Sequence, residues 1–168
     1  EREPRLALRV TMGAGKTRQV IEHLKAFIAG RFGMRIEIYV PRHDLAAEYV
    51  EKLKAGVPVA AKVVHVVPRD GGSSGNLPIL CRRADYVKSL RKSGVGIFHK
   101  ACRSADGQHC EFYDACGYIE QFRDPSLATA QGNVVRIGVH RYLGLPRNPI
   151  QNDPDLVIID EAFLKDLI

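Results

Sequence analysis

The segment VTMGAGKT, which starts at Val10, has the residue types and spacing of a phosphate-binding loop. Gly13 and Gly15 let the backbone approach phosphate oxygens without a Cβ clash, and a helix that begins at Lys16 adds its positive N-terminal end. Lys16 is predicted to reach the β- and γ-phosphates, and Thr17 to bind Mg²⁺. The strict pattern has glycine where Val10 stands, so the alternative is a chance match in a basic loop.

An acidic pair follows the apolar run DLVII. This run predicts a buried strand, and Asp160 and Glu161 come at its carboxyl end, where open α/β sheets bind their ligands. Asp160 is predicted to hold Mg²⁺ through water, and Glu161 to orient or deprotonate the attacking water. The alternative is an acidic turn that caps a following helix. The predicted catalytic residues are Lys16, Asp160 and Glu161, and the predicted nucleotide-binding residues are Gly13, Ala14, Gly15, Lys16, Thr17 and Asp160.

Four cysteines lie between these motifs with the spacing C-x20-C-x7-C-x5-C. Structural zinc sites usually contain a tight cysteine pair, and this segment has none. Four separated thiolates favour a 4Fe–4S iron–sulfur cluster, with Phe112 and Tyr113 packed around it. The alternatives are a zinc site that uses His99 or His109, and ordinary reduced cysteines. The predicted metal ligands are Cys81, Cys102, Cys110 and Cys116.

These motifs require a sheet that brings the ends of distant strands together. Apolar runs predict strands, and apolar residues at helical spacing predict helices. In chain order the predicted elements are strand Leu6–Val10, helix Thr17–Ala29, strand Arg35–Val40, helix His43–Lys54, strand Lys62–Val67, strand Asn133–Val139 and strand Asp155–Ile159. The sequence RDGGSSGN after the third of these strands predicts a flexible loop. The alternation predicts an α/β fold with a mostly parallel sheet and helices on both faces.

The predicted sheet divides the chain into three segments. Residues 1–80 hold the phosphate loop and the first three strands, residues 81–124 form a four-cysteine insertion, and residues 125–168 hold the last strands and the acidic pair. A length of 168 residues suffices for one domain with a substantial core. Because the sequence stops soon after the acidic pair, we expect it to be a fragment of a longer protein.

The net charge of +6 and the isoelectric point near 9.3 fit a polyanionic partner. Residues 82–103 hold seven basic residues and one acidic residue, for which the alternative is a solvated helix face. No apolar run approaches the roughly 20 residues of a membrane span, and the first residues do not resemble a signal peptide. We therefore expect a cytoplasmic or nucleoid-associated protein with reduced cysteines.

The motifs, in this order, resemble those of superfamily 2 DNA helicases. VTMGAGKT resembles motif I, YVPRHDLAAEYVEKL resembles the region of motif Ia, and DEAF resembles motif II, with phenylalanine where many relatives have histidine. Four cysteines followed by VHRYLGL are similar to the iron–sulfur (XPD/DinG-like) branch or to a related phage or mobile-element helicase. His140 stands where relatives commonly have asparagine, and no adenine-recognition motif precedes Leu6.

The resemblance implies the first RecA-like lobe of a P-loop NTPase, an ATP-dependent DNA helicase or translocase that uses ATP, Mg²⁺ and an iron–sulfur cluster or Zn²⁺. It implies single-stranded or forked DNA as partner, and a second RecA-like lobe outside this chain that supplies the arginine finger. Without that lobe, the chain is expected to bind nucleotide but hydrolyse it poorly. The residues expected at the DNA are Arg42, His43, Arg82, Arg83, Arg91, Lys92, His140 and Arg141.

Two other functions fit the same residues. The first is another P-loop ATPase, such as a packaging or recombination motor, with a structural zinc module. The second is a non-catalytic nucleic-acid-binding module with a relict nucleotide site. The combination of Lys16, Thr17, Asp160 and Glu161 favours an active nucleotide site over the second of these.

Overall fold

The structure, a computed structural model, describes residues 15–57, 61–72, 76–94, 96–103, 106–123 and 132–160. The predicted strand Leu6–Val10 lies outside these residues. The described part has an α/β fold, in which four parallel strands form one sheet accompanied by helices. This confirms the predicted α/β class and the predicted parallel sheet.

The sheet has the spatial order β2-β3-β1-β4, and all three pairings are parallel. Its strands are β1 Arg35–Val40, β2 Lys62–His65, β3 Val134–Val139 and β4 Leu156–Ile159. Valine and isoleucine dominate them because β-branched side chains pack well on a pleated surface. Since all four strands run in one direction, their carboxyl ends lie along the same edge of the sheet.

Two amphipathic helices, α1 Lys16–Ala29 and α2 His43–Lys54, share one hydrophobic core with one face of the sheet. The buried core residues are Ile21, Leu24, Ile28, Ile36, Ile38, Val40, Ala46, Tyr49, Leu53, Val63, Val135 and Ile137. Helix α2 and strand β1 have the predicted bounds, and α1 begins one residue earlier than predicted. The core therefore fixes where α1 and α2 begin relative to the carboxyl ends of the strands.

The opposite face of the sheet carries buried charges. Glu37 and Arg136 are register partners on β1 and β3, and each is only 2% exposed. Arg136 donates hydrogen bonds of 3.0 Å to the carbonyl oxygens of Gln121 and Phe122. Glu37 accepts a hydrogen bond of 2.8 Å from Arg147. Buried charges require such partners because desolvation of an unpaired ion is costly, so this face fixes the segments before and after β3.

Between β2 and β3 the chain forms helix α3 Ala84–Lys92, a π-helical turn Phe98–Cys102 and the short helix α4 Gly117–Glu120. Polar contacts join this segment to the sheet. The Lys62 Nζ on β2 donates hydrogen bonds of 2.8 and 2.9 Å to the backbone and side chain of Glu120.

Strand β2 ends at His65, two residues before its predicted end at Val67. The Val66 amide still donates to the Ile137 carbonyl at 2.8 Å. At Val67 the backbone forms its hydrogen bonds with the side-chain amide of Gln121 and not with a neighbouring strand. Its Oε1 accepts from the Val67 amide at 2.7 Å, and its Nε2 donates to the Val67 carbonyl at 3.2 Å. A side chain from a distant segment thus ends the strand, and the apolar pattern of residues 62–67 contains no sign of it.

The loop after β2 is more ordered than the sequence predicts. Asp70 is 7% exposed and forms a β-bridge with Ile79. Its carboxylate pairs with Arg91 of α3 at 2.9 Å. The prediction of a merely flexible loop is therefore wrong at Asp70, where a buried ion pair holds the chain. None of the described helices is long and apolar enough to cross a membrane.

Candidate functional site

The predicted phosphate loop is described from Gly15 onward, so Gly13 and Ala14 lie outside the described residues. Gly15 adopts a left-handed backbone conformation with φ 67°, which glycine tolerates at no steric cost. Helix α1 begins at the next residue, Lys16, and its first turn contains no acidic residue. The positive end of the α1 dipole is thus uncompensated by carboxylates in that turn, as an anion-binding helix terminus requires.

The structure brings Thr17 and Asp160 together across 143 residues of sequence. The Thr17 hydroxyl donates to the Asp160 Oδ2 at 3.4 Å. Asp160 directly follows β4, is 8% exposed, and its amide donates to the Tyr39 carbonyl at 2.9 Å. A hydroxyl and a carboxylate are the hard oxygen ligands that Mg²⁺ prefers. Glu161 lies outside the described residues, and the Lys16 side chain is not described.

Tyr49 of α2 completes this cluster, and sequence reasoning missed its polar role. Its ring is fully buried, and its hydroxyl donates to the Asp160 Oδ2 at 2.6 Å. Burial, followed by the hydrogen bond to Asp160, raises the pKa of Tyr49 well above its usual range. Tyr49 therefore stays protonated and remains a donor. Tyr49 is the one residue of the apolar stripe of α2 whose side chain can form a hydrogen bond. This property could have indicated a polar role from the sequence.

His140 approaches Asp160 from another direction. It is 1% exposed, and its Nε2 lies 2.8 Å from the Asp160 backbone carbonyl. Because a carbonyl oxygen only accepts, the Nε2 carries the proton in this contact. His140 thereby links the end of β3 to the end of β4. It also lines the basic groove described below, and its contact with nucleic acid stays a prediction.

A basic groove with a volume of about 1590 Å³ runs past the carboxyl ends of β1, β2 and β3. Among its lining residues are six arginines, three histidines and two carboxylates: Arg42, Arg69, Arg91, Arg136, Arg141, Arg147, His43, His65, His140, Glu37 and Asp44. Five residues of the predicted DNA-binding set, Arg42, His43, Arg91, His140 and Arg141, line this groove. Six arginines against two carboxylates make its lining basic.

Two histidines form a hydrogen-bonded pair at the wall of this groove. The His43 Nδ1 lies 3.0 Å from the His65 Nε2, so one ring donates and the other accepts. Burial, followed by repulsion from His43, lowers the pKa of His65 to about 4. Burial also lowers the pKa of His43, against the opposing influence of Asp44. The pair is therefore neutral near pH 7.

All four cysteines line a second, much smaller cavity, together with Ile119 of α4. Phe112 and Tyr113 also line it, and their packing around a metal cluster stays a prediction. Burial raises the pKa of the Cys81 and Cys102 thiols. The Arg69 guanidinium donates to the Cys102 Sγ at 3.6 Å. Among the described residues, no three His, Cys, Asp or Glu side chains are grouped closely enough to hold a single metal ion.

The other basic residues of the predicted DNA-binding set lie apart from the groove. Arg82 and Arg83 line the cysteine cavity. The Arg82 guanidinium lies 5.2 Å from the centre of the Phe112 ring, and that of Arg83 lies 4.5 Å from the Tyr86 ring. Lys92 is exposed at the end of α3. The structure therefore separates the predicted set into groove residues and residues of the cysteine segment.

Comparison of the chain with protein-family models, curated proteins and solved structures finds no match.

Proposed function

We propose that this chain is the first RecA-like lobe of an ATP-dependent DNA helicase or translocase, and that it binds Mg-ATP and single-stranded DNA. The observation that carries the proposal is the 3.4 Å contact between the Thr17 hydroxyl and the Asp160 carboxylate. Thr17 follows a glycine-rich sequence at the start of a helix, and Asp160 follows a buried strand. P-loop NTPases hold their magnesium with this pair of residue types at these positions.

Each remaining group then has a chemical role. Thr17 and Asp160 would hold Mg²⁺, which would supply positive charge against the negative charge that develops during phosphoryl transfer. Lys16, the first residue of α1, would contact the β- and γ-phosphates. Glu161, the residue after Asp160, would orient or deprotonate the attacking water.

Single-stranded DNA is the proposed occupant of the basic groove. The groove follows the carboxyl ends of three strands, and the Thr17–Asp160 pair lies at the carboxyl end of the fourth. Both sites therefore lie at the same edge of the sheet, which favours communication between them. Arg141 is exposed at the groove and would neutralise a backbone phosphate. Arg42 is also exposed there, and a phosphate would have to replace the Asp44 carboxylate that its guanidinium contacts at 3.1 Å.

The spacing of the cysteines favours an iron–sulfur cluster over a single zinc ion, because structural zinc sites usually contain a tight cysteine pair and this chain has none. Four separated thiolates can each bind a different iron of a cluster. The four cysteines line one cavity together with Phe112 and Tyr113. We propose that Cys81, Cys102, Cys110 and Cys116 hold such a cluster, which would stabilise a segment with few buried apolar residues.

ATP binding tests the proposal. We expect ATP to bind more tightly with Mg²⁺ than with EDTA in isothermal titration calorimetry. Lys16→Ala should lower the affinity at least tenfold, and Asp160→Asn should remove most of the effect of Mg²⁺. Lys25→Ala is the matched control, because this α1 lysine pairs with Glu22 and should bind ATP like the wild type. ATP binding that is absent, or unchanged in Lys16→Ala, would overturn the proposal.

A further inference from the structure

The Asp160 carboxylate accepts a hydrogen bond from Tyr49, a residue outside the phosphate loop and the acidic pair. The Oδ2 atom accepts from the Tyr49 hydroxyl at 2.6 Å and lies 3.4 Å from the Thr17 hydroxyl. Two donors from two helices thus meet one carboxylate oxygen. Both contacts use the same oxygen of the Asp160 carboxylate, Oδ2.

The contact from Tyr49 is short and directional. A hydroxyl that donates to a carboxylate at 2.6 Å forms a charge-assisted hydrogen bond, roughly twice as strong as a neutral one. The Tyr49 ring is 0% exposed within the core that α1 and α2 share with the sheet, so its hydroxyl has little freedom to move. A rigid donor restricts rotation of the Asp160 side chain, and preorganised ligands bind metal better than mobile ones.

Tyr49 lies in a helix that also borders the basic groove. Helix α2 begins with His43, which lines the groove together with the preceding Arg42. Tyr49 lies in the same helix, fewer than two turns from His43. The donor to the Asp160 carboxylate therefore belongs to the same helix as the groove residue His43.

We propose that Tyr49 is a positioning residue that orients the Asp160 carboxylate for Mg-ATP and links this orientation to α2 at the groove. This inference rests on the proposed function. Under this inference, Tyr49 contributes to magnesium binding from outside the phosphate loop and the acidic pair.

Tyr49→Phe isolates the hydroxyl, because it keeps the ring that fills the core. We expect this variant to bind ATP with EDTA as the wild type does, since the proposed phosphate contacts of Lys16 and the loop amides would not need magnesium. Its affinity for ATP with Mg²⁺ should fall about tenfold, the effect of losing one hydrogen bond to a charged group. The same loss should appear as a higher midpoint when Mg²⁺ is titrated at constant ATP.

Tyr39→Phe is the matched control. The Tyr39 hydroxyl donates to the Glu37 carboxylate at 2.8 Å, so this variant also removes a hydrogen bond from a tyrosine to a carboxylate near a strand end. Glu37 pairs with Arg147 and does not contact Asp160. We expect Tyr39→Phe to leave both ATP affinities unchanged.

The outcomes separate this inference from the proposed function. A wild-type chain that binds ATP without any effect of Mg²⁺ would overturn both. Wild-type binding that depends on Mg²⁺, together with unchanged binding in Tyr49→Phe, would overturn the inference alone. Equal loss of both affinities in Tyr49→Phe would show that Tyr49 supports the fold, and would also overturn the inference. Selective loss of the Mg²⁺-dependent affinity, with Tyr39→Phe unchanged, would support it.

Discussion

Replacing Arg91 with alanine should destabilise the folded chain, because the buried Asp70 carboxylate would lose its ion-pair partner. The Arg91 guanidinium contacts both oxygens of Asp70, at 2.9 and 3.2 Å. The Asp70 side chain is 5% exposed, whereas the Arg91 side chain is 52% exposed. Removal of one partner of a fully buried pair costs about 3–5 kcal/mol. Because water reaches the Arg91 side, we expect a smaller loss, about 2 kcal/mol.

Urea unfolding followed by circular dichroism measures this loss. We expect a lower midpoint without a change of slope, and a fall in Tm of about 4–8 °C for a domain of this size. Asp70→Ala/Arg91→Ala should be at least as stable as Arg91→Ala, because the double variant contains no unpaired buried carboxylate. Lys92→Ala, at the exposed neighbouring position, should change stability by less than about 0.5 kcal/mol.

The refuting result is a loss in Arg91→Ala as small as that in Lys92→Ala. It would mean that Asp70 finds another partner or water, and that the contact does not hold α3 against the loop after β2. The same variants test the interpretation of Arg91 as a DNA contact. Since Asp70 already occupies its guanidinium, we expect Arg91→Ala to leave the salt dependence of single-strand binding unchanged.

Three further results are expected. Arg141→Ala should weaken binding of a single-stranded oligonucleotide and reduce the salt slope by about 0.7, the loss of one phosphate contact. Stability should fall as the pH drops from 6.5 towards 4. In this window His65 gains a proton in the unfolded chain, whereas burial keeps the pKa of His65 in the folded chain near 4. His65→Gln should therefore flatten the dependence of Tm on pH. Anaerobically purified protein should be brown with about four irons per chain, and Cys110→Ser should lose the colour.

Each of these results has a control. Lys54→Ala, at the exposed far end of α2, should bind the oligonucleotide as the wild type does. His23→Gln, at an exposed position of α1, should keep the wild-type dependence of Tm on pH. About one zinc and no iron per chain would contradict the cluster and favour a P-loop ATPase with a structural zinc module. An unchanged salt slope in Arg141→Ala would remove Arg141 from the proposed DNA path.

The elements of the sheet and its first helices were predictable because they depend on local patterns. Helix α2 follows from the spacing of Ala46, Tyr49 and Leu53, all of which are buried. Strand β1 follows from a short run of alternating residues that ends at Pro41. The partnership of Thr17 and Asp160 was predictable for a different reason. Parallel strands present their carboxyl ends at one edge of the sheet, so the topology brings these residues together.

The unpredicted features are contacts that a side chain makes with a group distant in sequence. Gln121 ends β2 by pairing with the backbone of Val67, and Asp70 is buried only because Arg91 reaches it. Tyr49 resembles any apolar member of a helical stripe until its hydroxyl meets Asp160. Such contacts depend on tertiary packing, which periodicity does not encode.

The most direct test of the central claim is to locate the metal. A crystal structure of the chain with Mn²⁺ and a non-hydrolysable ATP analogue would show manganese by its anomalous scattering. We expect one peak between the Thr17 hydroxyl and the Asp160 carboxylate, bound to Thr17 directly and to Asp160 directly or through water, with the phosphates against the start of α1. A nucleotide bound elsewhere, or manganese that contacts neither residue, would contradict the account.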